Sequence, residues 1–394
     1  QFMTRKKMNL KGLLERVQSV LPENKKPLSL HEPLFCGNEW PYVKECLDSG
    51  WVSSVGSFVD RFESDLAKYT GVSHAVVTVN GTAALHICLK LCGVEQNDEV
   101  LIPTLTFIAT ANAVTYCNAI PHFVDSDEQT LGVSPEKLES YLKEICEIRD
   151  RQCFNKNSGR RIKALVAMHV FGHPVDIDPL KSLCESFHID FIEDAAESLG
   201  SYYKGRHTGA FGKVSALSFN GNKILTTGGG GAILTNDPEL GRLAKHLTTT
   251  AKLPHKWAFN HDQVGYNYRM PNINAAIGCA QLEKMHFFLE SKRNLARRYQ
   301  EAFSGFSGAT FFSEHKFAKS NYWLNLIILE KEFASRRDEV LEATHSCGIL
   351  TRPAWTLMSE LPMFTHCPKM DLSTAKSLEN RIINLPSSVC LGQQ

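Results

Sequence analysis

Short apolar runs alternate with amphipathic stretches along the middle of the chain, from about residue 59 to residue 235. The spacing of apolar residues in the stretches predicts helices, and the pairs Ser134-Pro135 and Asp178-Pro179 are typical of helix starts. The apolar runs predict buried strands at positions 74–79, 99–102, 122–125, 163–170, 189–193, 214–219 and 231–235. Strands this apolar, separated by helices, are typical of an α/β fold with a mainly parallel sheet covered by helices.

The alternation is less regular after about residue 250, where charged helices at 281–303 and a short strand at 323–329 predict a smaller α/β domain. Residues 1–30 are predicted to form a basic, partly helical lead-in. The expected division is therefore a lead-in at 1–30, a large domain at 31–250 and a small C-terminal domain at 251–394.

Composition and charge exclude several classes of function. The chain is 43% hydrophobic and 22% charged with a net charge of +1, which is typical of a globular protein and predicts no nucleic-acid or membrane partner. Its apolar runs are too short to cross a bilayer, and its first residues lack the apolar core of a secretory signal. The 12 cysteines show no C-x-x-C spacing, so we expect a reduced, cytoplasmic protein without a metal site.

Three motifs at predicted strand ends are candidates for chemistry. Residues 80–83 (Asn-Gly-Thr-Ala) lie between a strand and a helix, where amides bind anions, although an ordinary helix cap has the same pattern. Glu193 and Asp194 end a strand at the edge where α/β proteins bind ligands, although a salt bridge or a metal would use the same acids. Lys223 precedes a glycine run at 228–231 and is a candidate imine-forming amine, the alternative being a surface lysine.

Taken together, the three motifs indicate one cofactor. The ends of successive strands meet at one edge of a sheet, so an anion cradle, a carboxylate and a lysine would converge there. Pyridoxal 5'-phosphate requires these groups: an amine for its aldehyde, an acid for its pyridine nitrogen and a helix start for its phosphate. The glycine run fits neither of the common nucleotide-binding fingerprints.

The same motifs, in this order, resemble those of the DegT/StrS family of nucleotide-sugar aminotransferases, which are pyridoxal-phosphate enzymes of fold type I. The resemblance covers roughly residues 30–386 and implies a mainly parallel central sheet with a smaller C-terminal α/β domain. The segments that carry it are 80–85, 103–112, 193–196, 218–223 and 265–270.

The resemblance implies roles for residues around the reacting atoms. Lys223 matches the lysine that forms the Schiff base, and Asp194 matches the carboxylate on the pyridine nitrogen. Glu197 stands where many members have glutamine near the phenolic oxygen of the cofactor, so a carboxylate there is a departure whose role stays open. His169 is either a core histidine or a cofactor contact.

Further cofactor contacts are implied by the same resemblance. Phe107 matches an aromatic ring that stacks on the cofactor, and Asn267 matches an asparagine that reaches the phosphate from the neighbouring subunit. The family therefore implies a homodimer with shared active sites. The remaining cofactor-binding positions are Gly81, Thr82, Ala83 and Ser218, the last three toward the phosphate.

Lys223 also favours one reaction over another, because relatives that dehydrate their substrates carry histidine at that position. The family implies L-glutamate as amino donor and a nucleotide-linked ketosugar as acceptor. Segments 50–56 and 351–355 resemble a subgroup that makes 4-amino sugars for nonulosonic acids of the legionaminic type, which implies a 4-keto-6-deoxy sugar. Candidate sugar or diphosphate contacts, each of which also fits a structural role, are Trp51, His315, Arg352 and Trp355.

Two alternatives to this transamination stay open. One is another pyridoxal-phosphate reaction, such as dehydration or the amination of a free sugar acid. The other is a non-enzymatic regulator on the same fold, which fold alone does not exclude. Whether the nucleotide is UDP, GDP or dTDP cannot be predicted from the sequence.

Overall fold

A nine-stranded sheet lies at the centre of the computed structural model, which describes residues 8–24 and 26–393. The basic residues predicted at the very start of the lead-in, up to Lys7, lie outside the described residues. In chain order, the helices are α1 (Leu10–Val20), α2 (Glu39–Ser49), α3 (Ser57–Thr70), α4 (Gly81–Leu91), α5 (Ile108–Tyr116), α6 (Pro135–Ile145), α7 (Ile177–Ser186), α8 (Pro238–Thr248), α9 (Asn272–Glu283), α10 (Met285–Phe303), α11 (Arg337–Ser346) and α12 (Ser373–Glu379).

The strands occupy the predicted apolar runs and several segments besides. They are β1 (His74–Thr78), β2 (Glu99–Pro103), β3 (Ile120–Val124), β4 (Cys146–Arg149), β5 (Gln152–Asn155), β6 (Arg161–Met168), β7 (Asp190–Asp194), β8 (Tyr202–Tyr203), β9 (Arg206–His207), β10 (Val214–Ser218), β11 (Gly231–Thr235), β12 (Lys252–Leu253), β13 (Asn260–His261), β14 (Ala309–Phe311), β15 (Ala318–Lys319), β16 (Asn325–Leu329), β17 (Arg352–Pro353) and β18 (Ile382–Leu385).

The main sheet has the strand order β1-β11-β10-β7-β6-β2-β3. In this order β11 runs antiparallel to both of its neighbours, whereas the pairs from β10 to β3 are parallel. The hairpin β4–β5 joins the sheet through the first residues of β6. The prediction of a mainly parallel α/β sheet is confirmed, and the carboxyl ends of β1, β7 and β10 lie at one edge.

Side chains of alternate strand residues point to opposite faces, and helices cover both. Val76 of β1 packs in a cluster with α4 and α8, whereas Val77 packs on the other face with Phe62 of α3 and Ala275 of α9. α6 and α7 cover a further part of the sheet, around Leu165. This two-sided burial explains why the strands read as continuous apolar runs instead of alternating patterns.

A second, four-stranded sheet has the order β14-β16-β18-β17 and is antiparallel throughout. α10 packs against it through Leu295 and Tyr299, and α1 of the lead-in joins the same cluster through Leu13 and Val17. The domain limits expected from the sequence remain predictions. Within the residues that the structure describes, none of the helices has the length and apolar character needed to cross a membrane.

The charged helices predicted at 281–303 are the end of α9 and the whole of α10, which meet at Lys284; α9 packs on α2 and α3, whereas α10 packs on α1. One helix prediction needs correction. α7 begins before Asp178, with Asp176 at its N-cap. Pro179 then lies in the first turn, where its missing N–H costs no helical hydrogen bond.

Candidate active site

The start of α4 meets the end of β10 in very close contact. A Cβ atom added to Gly81 would lie 2.9 Å from Cβ of Ser218 and 3.4 Å from the carbonyl oxygen of Leu217. Only glycine therefore allows the helix N-terminus to come this near to the strand. Thr82 lies in the first turn, so its hydroxyl and that of Ser218 flank a helix end that favours anions.

The amide of Ala83 has a partner inside the protein. Its N–H donates to Oδ1 of Asn80 at 2.7 Å, and Asn80 is the N-cap of α4. In this structure the Ala83 amide therefore serves the helix cap, and the hydroxyls of Thr82 and Ser218 supply polar groups at the same helix end.

The two adjacent acids at the end of β7 differ sharply in their surroundings. Glu193 is buried, and its carboxylate accepts a hydrogen bond from Nε2 of His169 at 2.9 Å. Burial tends to raise the pKa of Glu193, but the bonds from His169 and from loop amides hold that pKa below its usual value. Further donors to the same carboxylate are the amides of Gly209, Phe211 and Gly212 and the hydroxyl of Ser215.

His169 is accordingly a core residue in this structure. Its Nδ1 accepts the N–H of Val175 at 3.1 Å, so the ring proton is on Nε2 and points to Glu193. Both ring nitrogens are used, and the pair connects β6 to the loop after β9. The sequence left a core role and a cofactor contact open, and these bonds favour the core role.

Asp194 is also buried, but its carboxylate accepts fewer hydrogen bonds than that of Glu193. Its Oδ2 accepts the hydroxyl of Thr110 at 2.8 Å, and its Oδ1 accepts the N–H of Ala196 at 3.2 Å. Burial raises the pKa of Asp194, and these bonds and the charge of Lys223 oppose the rise. The hydrogen-bond partners are neutral, so a protonated ring nitrogen would complete the charge balance of this carboxylate. The residues present therefore fit the pyridine of pyridoxal phosphate.

Lys223 projects toward a carboxylate and an aromatic ring. Its Nζ lies 3.5 Å from Oε1 of Glu197 and 4.0 Å from the ring centre of Trp323, whose Nε1 donates to the carbonyl of Asn222. Oε2 of Glu197 accepts the N–H of Phe171 at 2.7 Å. Burial raises the pKa of Glu197 to about 7, although Lys223 acts in the opposite direction. Glu197 can therefore hold a proton near neutral pH beside the amine.

The backbone near Glu197 is strained. Phe171 has φ 56 and ψ 17, a left-handed conformation that non-glycine residues seldom adopt. A Cβ on the next residue, Gly172, would lie 1.9 Å from Oδ1 of Asn321, so the turn is held tightly. This conformation aims the Phe171 amide at Glu197, and the Phe171 ring stacks on Trp355 at 4.7 Å. Trp355 therefore packs on the residue whose amide binds Glu197.

The other predicted residues occupy different environments. Phe107 precedes α5 and leaves 49% of its surface exposed, which fits a ring that stacks on a ligand. Asn267 is exposed in a segment whose backbone pairs with Thr249. Trp51 and Arg352 are exposed as well.

His315 is not brought to the lysine group. Its Nε2 lies 3.1 Å from Oε1 of Gln129, and its ring packs on Phe317 at 4.0 Å. Phe317 in turn packs on Tyr203, in the cluster formed by α6 and α7. These contacts give His315 a structural role in packing near the surface.

Sequence reasoning missed Trp323 as a site residue. The sequence contains it only as the first residue of a predicted strand, which in the structure begins at Asn325. The available signal was a tryptophan close after the polar residues Ser320 and Asn321. Its role depends on a contact with Lys223, one hundred residues earlier in the chain.

Comparison with known proteins confirms the resemblance. The model of the DegT/DnrJ/EryC1/StrS aminotransferase family matches residues 36–394. GDP-perosamine synthase of Vibrio cholerae is 36% identical over 368 residues, covering 91% of this chain and 94% of the relative. The enzyme of the same name from Escherichia coli O157:H7 is 37% identical over 369 residues, covering 94% and 95%. The structure of Helicobacter pylori PseC, an aminotransferase of pseudoaminic acid biosynthesis, superposes with a TM-score of 0.83 at 25% identity, covering 92% and 94%.

Proposed function

The chain belongs to the DegT/DnrJ/EryC1/StrS aminotransferase family and is a pyridoxal-phosphate-dependent aminotransferase, and from this premise we propose its substrates. It moves the amino group of L-glutamate to a nucleotide-linked 4-keto-6-deoxy sugar, giving a 4-amino sugar for cell-surface glycan or nonulosonate synthesis. The observation that carries the proposal is the convergence of Lys223, Glu197 and Asp194 beside the anion cradle of α4.

Each part of the site has a task in this reaction. Pyridoxal phosphate, when bound, supplies an electron sink for the carbon that gains or loses a proton. Asp194 would hold the protonated pyridine nitrogen, and Phe107 would stack on the ring. Ser218 and the start of α4 would hold the phosphate.

Lys223 is the residue that moves protons. Its Nζ would bond to the cofactor between turnovers and, once released, take a proton from one carbon and return it to another. Glu197 lies 3.5 Å from that Nζ, and burial raises the pKa of Glu197 to about 7. Trp323 covers one side of the amine and limits its access to water.

The names of the relatives support a nucleotide-sugar acceptor. The Vibrio and Escherichia enzymes are named for GDP-perosamine, and the Helicobacter protein for pseudoaminic acid biosynthesis. They differ in product, so the nucleotide and the sugar of this chain need direct measurement.

The test offers the holoenzyme L-glutamate and a panel of UDP-, GDP- and dTDP-linked 4-keto-6-deoxy hexoses, with and without a 2-acetamido group. We expect one 2-oxoglutarate for each aminated nucleotide sugar, measured by mass spectrometry. A product that has lost water supports the dehydratase alternative, and amination confined to free keto sugar acids supports the other enzyme alternative. If glutamate leaves the cofactor spectrum unchanged, glutamate is not the amino donor and the proposal is wrong.

We further propose a homodimer with shared active sites. Asn267 is exposed, and the preceding segment exposes Trp257, Phe259 and Val264 by 74%, 78% and 82%. Large apolar side chains exposed this far in one segment are typical of an interaction surface. A two-fold interface would cover them and bring Asn267 to the neighbouring site.

Mixing two inactive variants tests the sharing of sites. Lys223→Ala and Asn267→Asp are dissociated together and allowed to reassociate, and the activity of the mixture is measured. Asp at 267 would place a like charge near the phosphate. A mixed dimer carries both lesions in one site and neither in the other, so we expect up to about one quarter of wild-type activity with random pairing.

Each variant taken alone through the same procedure is the control. Labelled subunits report exchange independently of activity. If Asn267→Asp is inactive and exchange is complete, but the mixture stays inactive, Asn267 does not act across the interface.

We infer that the enzyme acts in the cytoplasm. The structure has all twelve cysteines as free thiols, as expected for a protein of a reducing compartment. Its proposed substrates, L-glutamate and a nucleotide sugar, belong to the same compartment.

A further inference from the structure

A turn at the start of α5 places two buried threonines beside the ends of β6 and β7. Thr106 and Thr110 are both buried, and their Oγ1 atoms lie 2.8 Å apart. Met168 and Asp194, the last residues of β6 and β7, are partners in the register of that strand pair. The two threonines therefore lie next to a thioether and a carboxylate that are themselves neighbours.

The threonine hydroxyls connect these two side chains in one chain of hydrogen bonds. Oγ1 of Thr106 lies 2.8 Å from Sδ of Met168, and Oγ1 of Thr110 lies 2.8 Å from Oδ2 of Asp194. The chain thus runs from Met168 through Thr106 and Thr110 to Asp194. Because both threonines are buried, bulk water does not compete for their protons.

Each hydroxyl has a single proton, so the chain allows two arrangements of its protons. In the first, Thr106 donates to Thr110 and Thr110 donates to Asp194, which is then a carboxylate. In the second, a protonated Asp194 donates to Thr110. Thr110 then donates to Thr106, whose own proton is left to the sulfur of Met168. A thioether sulfur is a weak acceptor and a carboxylate is a strong one, so these bonds favour the first arrangement.

The charge on Asp194 needs such support because the residue is buried. Burial raises the pKa of Asp194, and the bond from Thr110 is the largest effect that opposes the rise, ahead of the Ala196 amide and the charge of Lys223. A hydrogen bond to the charged form of an acid favours that form. Only an ionised Asp194 balances a protonated pyridine nitrogen, so the Thr110 hydroxyl bears on the state of the cofactor ring.

We propose that Thr110 is a positioning residue that, with Thr106 behind it, keeps Asp194 ionised and thereby keeps the pyridine nitrogen of bound pyridoxal phosphate protonated. The inference rests on the proposed function, in which Asp194 holds that nitrogen, and adds a residue that acts through Asp194. The carbonyl of Phe107 accepts the N–H of Thr110 at 3.2 Å, so one turn carries both the ring expected to stack on the cofactor and the hydroxyl that binds Asp194. Without this hydroxyl, the proton shared by Asp194 and the ring nitrogen should move toward Asp194.

A third buried threonine in the same stretch provides a matched control. Thr104 is buried as well, but its Oγ1 donates to Oγ of Ser359 at 2.9 Å and accepts the N–H of Ser359 at 3.2 Å. These bonds lead away from Asp194. Thr104→Val therefore removes a buried hydroxyl two residues before Thr106 while the chain to Asp194 stays intact.

The test reconstitutes each apoenzyme with pyridoxal phosphate labelled with nitrogen-15 in the pyridine ring. Solid-state NMR then measures the nitrogen chemical shift, which reports protonation of the ring nitrogen without any turnover. We expect a protonated nitrogen in wild type and in Thr104→Val, and a shift toward the unprotonated value in Thr110→Val. Thr110→Ser keeps the hydroxyl and should recover most of the wild-type shift.

The glutamate half-reaction gives a second readout. Thr110→Val should slow the rate at which glutamate discharges the visible absorbance of the lysine-bound cofactor by about ten- to a hundredfold, as for loss of a hydrogen bond to a charged group. Thr104→Val should react at nearly the wild-type rate. If Thr110→Val folds poorly, Thr110→Ser is compared with Thr110→Ala, because both lack the methyl group and they differ only in the hydroxyl.

Failure of the inference is distinguishable from failure of the proposed function. If the nitrogen is unprotonated in wild type, or if Asp194→Asn leaves its shift unchanged, the role of Asp194 fails and the inference fails with it. If Asp194→Asn changes the shift and Thr110→Val does not, only Thr110 loses its role. Equal changes in Thr110→Val and Thr104→Val would show a general effect of packing, which also overturns the inference. None of these measurements uses a keto sugar, so they are independent of the acceptor proposed above.

Discussion

Lys223→Ala should abolish turnover, with kcat reduced by at least about 10⁴-fold. In the proposed mechanism the amine is both the cofactor's covalent partner and the base in both half-reactions, so its removal would eliminate two functions together. The visible absorbance of the lysine-bound cofactor should disappear as well. Circular dichroism and the melting temperature should show an intact fold, because Nζ contributes one ion pair with Glu197 and one contact with Trp323.

Two matched variants distinguish chemistry from charge. Lys223→Arg keeps a cation beside Glu197 but cannot form the covalent bond or lose a proton at neutral pH, so it should be as inactive as Lys223→Ala. Lys213→Ala removes a lysine that pairs with Asp190 instead, and it should retain activity. Near-normal turnover by Lys223→Ala would refute the assignment of this residue.

Asp194→Asn should slow both half-reactions by about 10²- to 10⁴-fold while cofactor binding is retained. The amide has nearly the same shape but carries no charge, so it no longer favours a protonated pyridine nitrogen. The neutral partners Thr110 and Ala196 can still bond to the asparagine, so stability should change little. Single-turnover kinetics with glutamate deuterated at the α-carbon measures the effect on proton abstraction directly.

The neighbouring acid provides the control. Glu193→Gln replaces a carboxylate that holds His169 and three loop amides, so it should lower the melting temperature. The two variants should therefore differ in effect: Asp194→Asn should lower the rate constants, and Glu193→Gln should lower the melting temperature. Normal rate constants for Asp194→Asn in both half-reactions would exclude its proposed role.

Much of the large sheet could be predicted because its strands are buried on both faces and read as apolar runs. The run at 231–235 matches β11, and the run at 214–219 matches β10 within one residue. The hairpin β4–β5 was missed because its residues are largely polar or partly exposed. The sequence predicted helices at 281–303 without the position of the break at Lys284, which depends on the neighbours that α9 and α10 pack against.

In the site, too, some features could be predicted from local sequence patterns and others depend on packing. Lys223 and the 80–83 turn could be placed together because both follow strands of one sheet, and the carboxyl ends of such strands meet at one edge. Glu197 could be located, but its pKa of about 7 depends on burial and on the strained Phe171 amide.

By itself the sequence determined the α/β class, the family and the strand-end motifs, because these depend on local patterns of burial, capping and turns. The tertiary structure decided which of the adjacent acids Glu193 and Asp194 is saturated with donors, because neighbouring strand residues point to opposite faces. It also decided that His315 lies apart from Lys223 whereas Trp323 covers it. Such contacts join segments far apart in the chain, and only the packed fold brings those segments together.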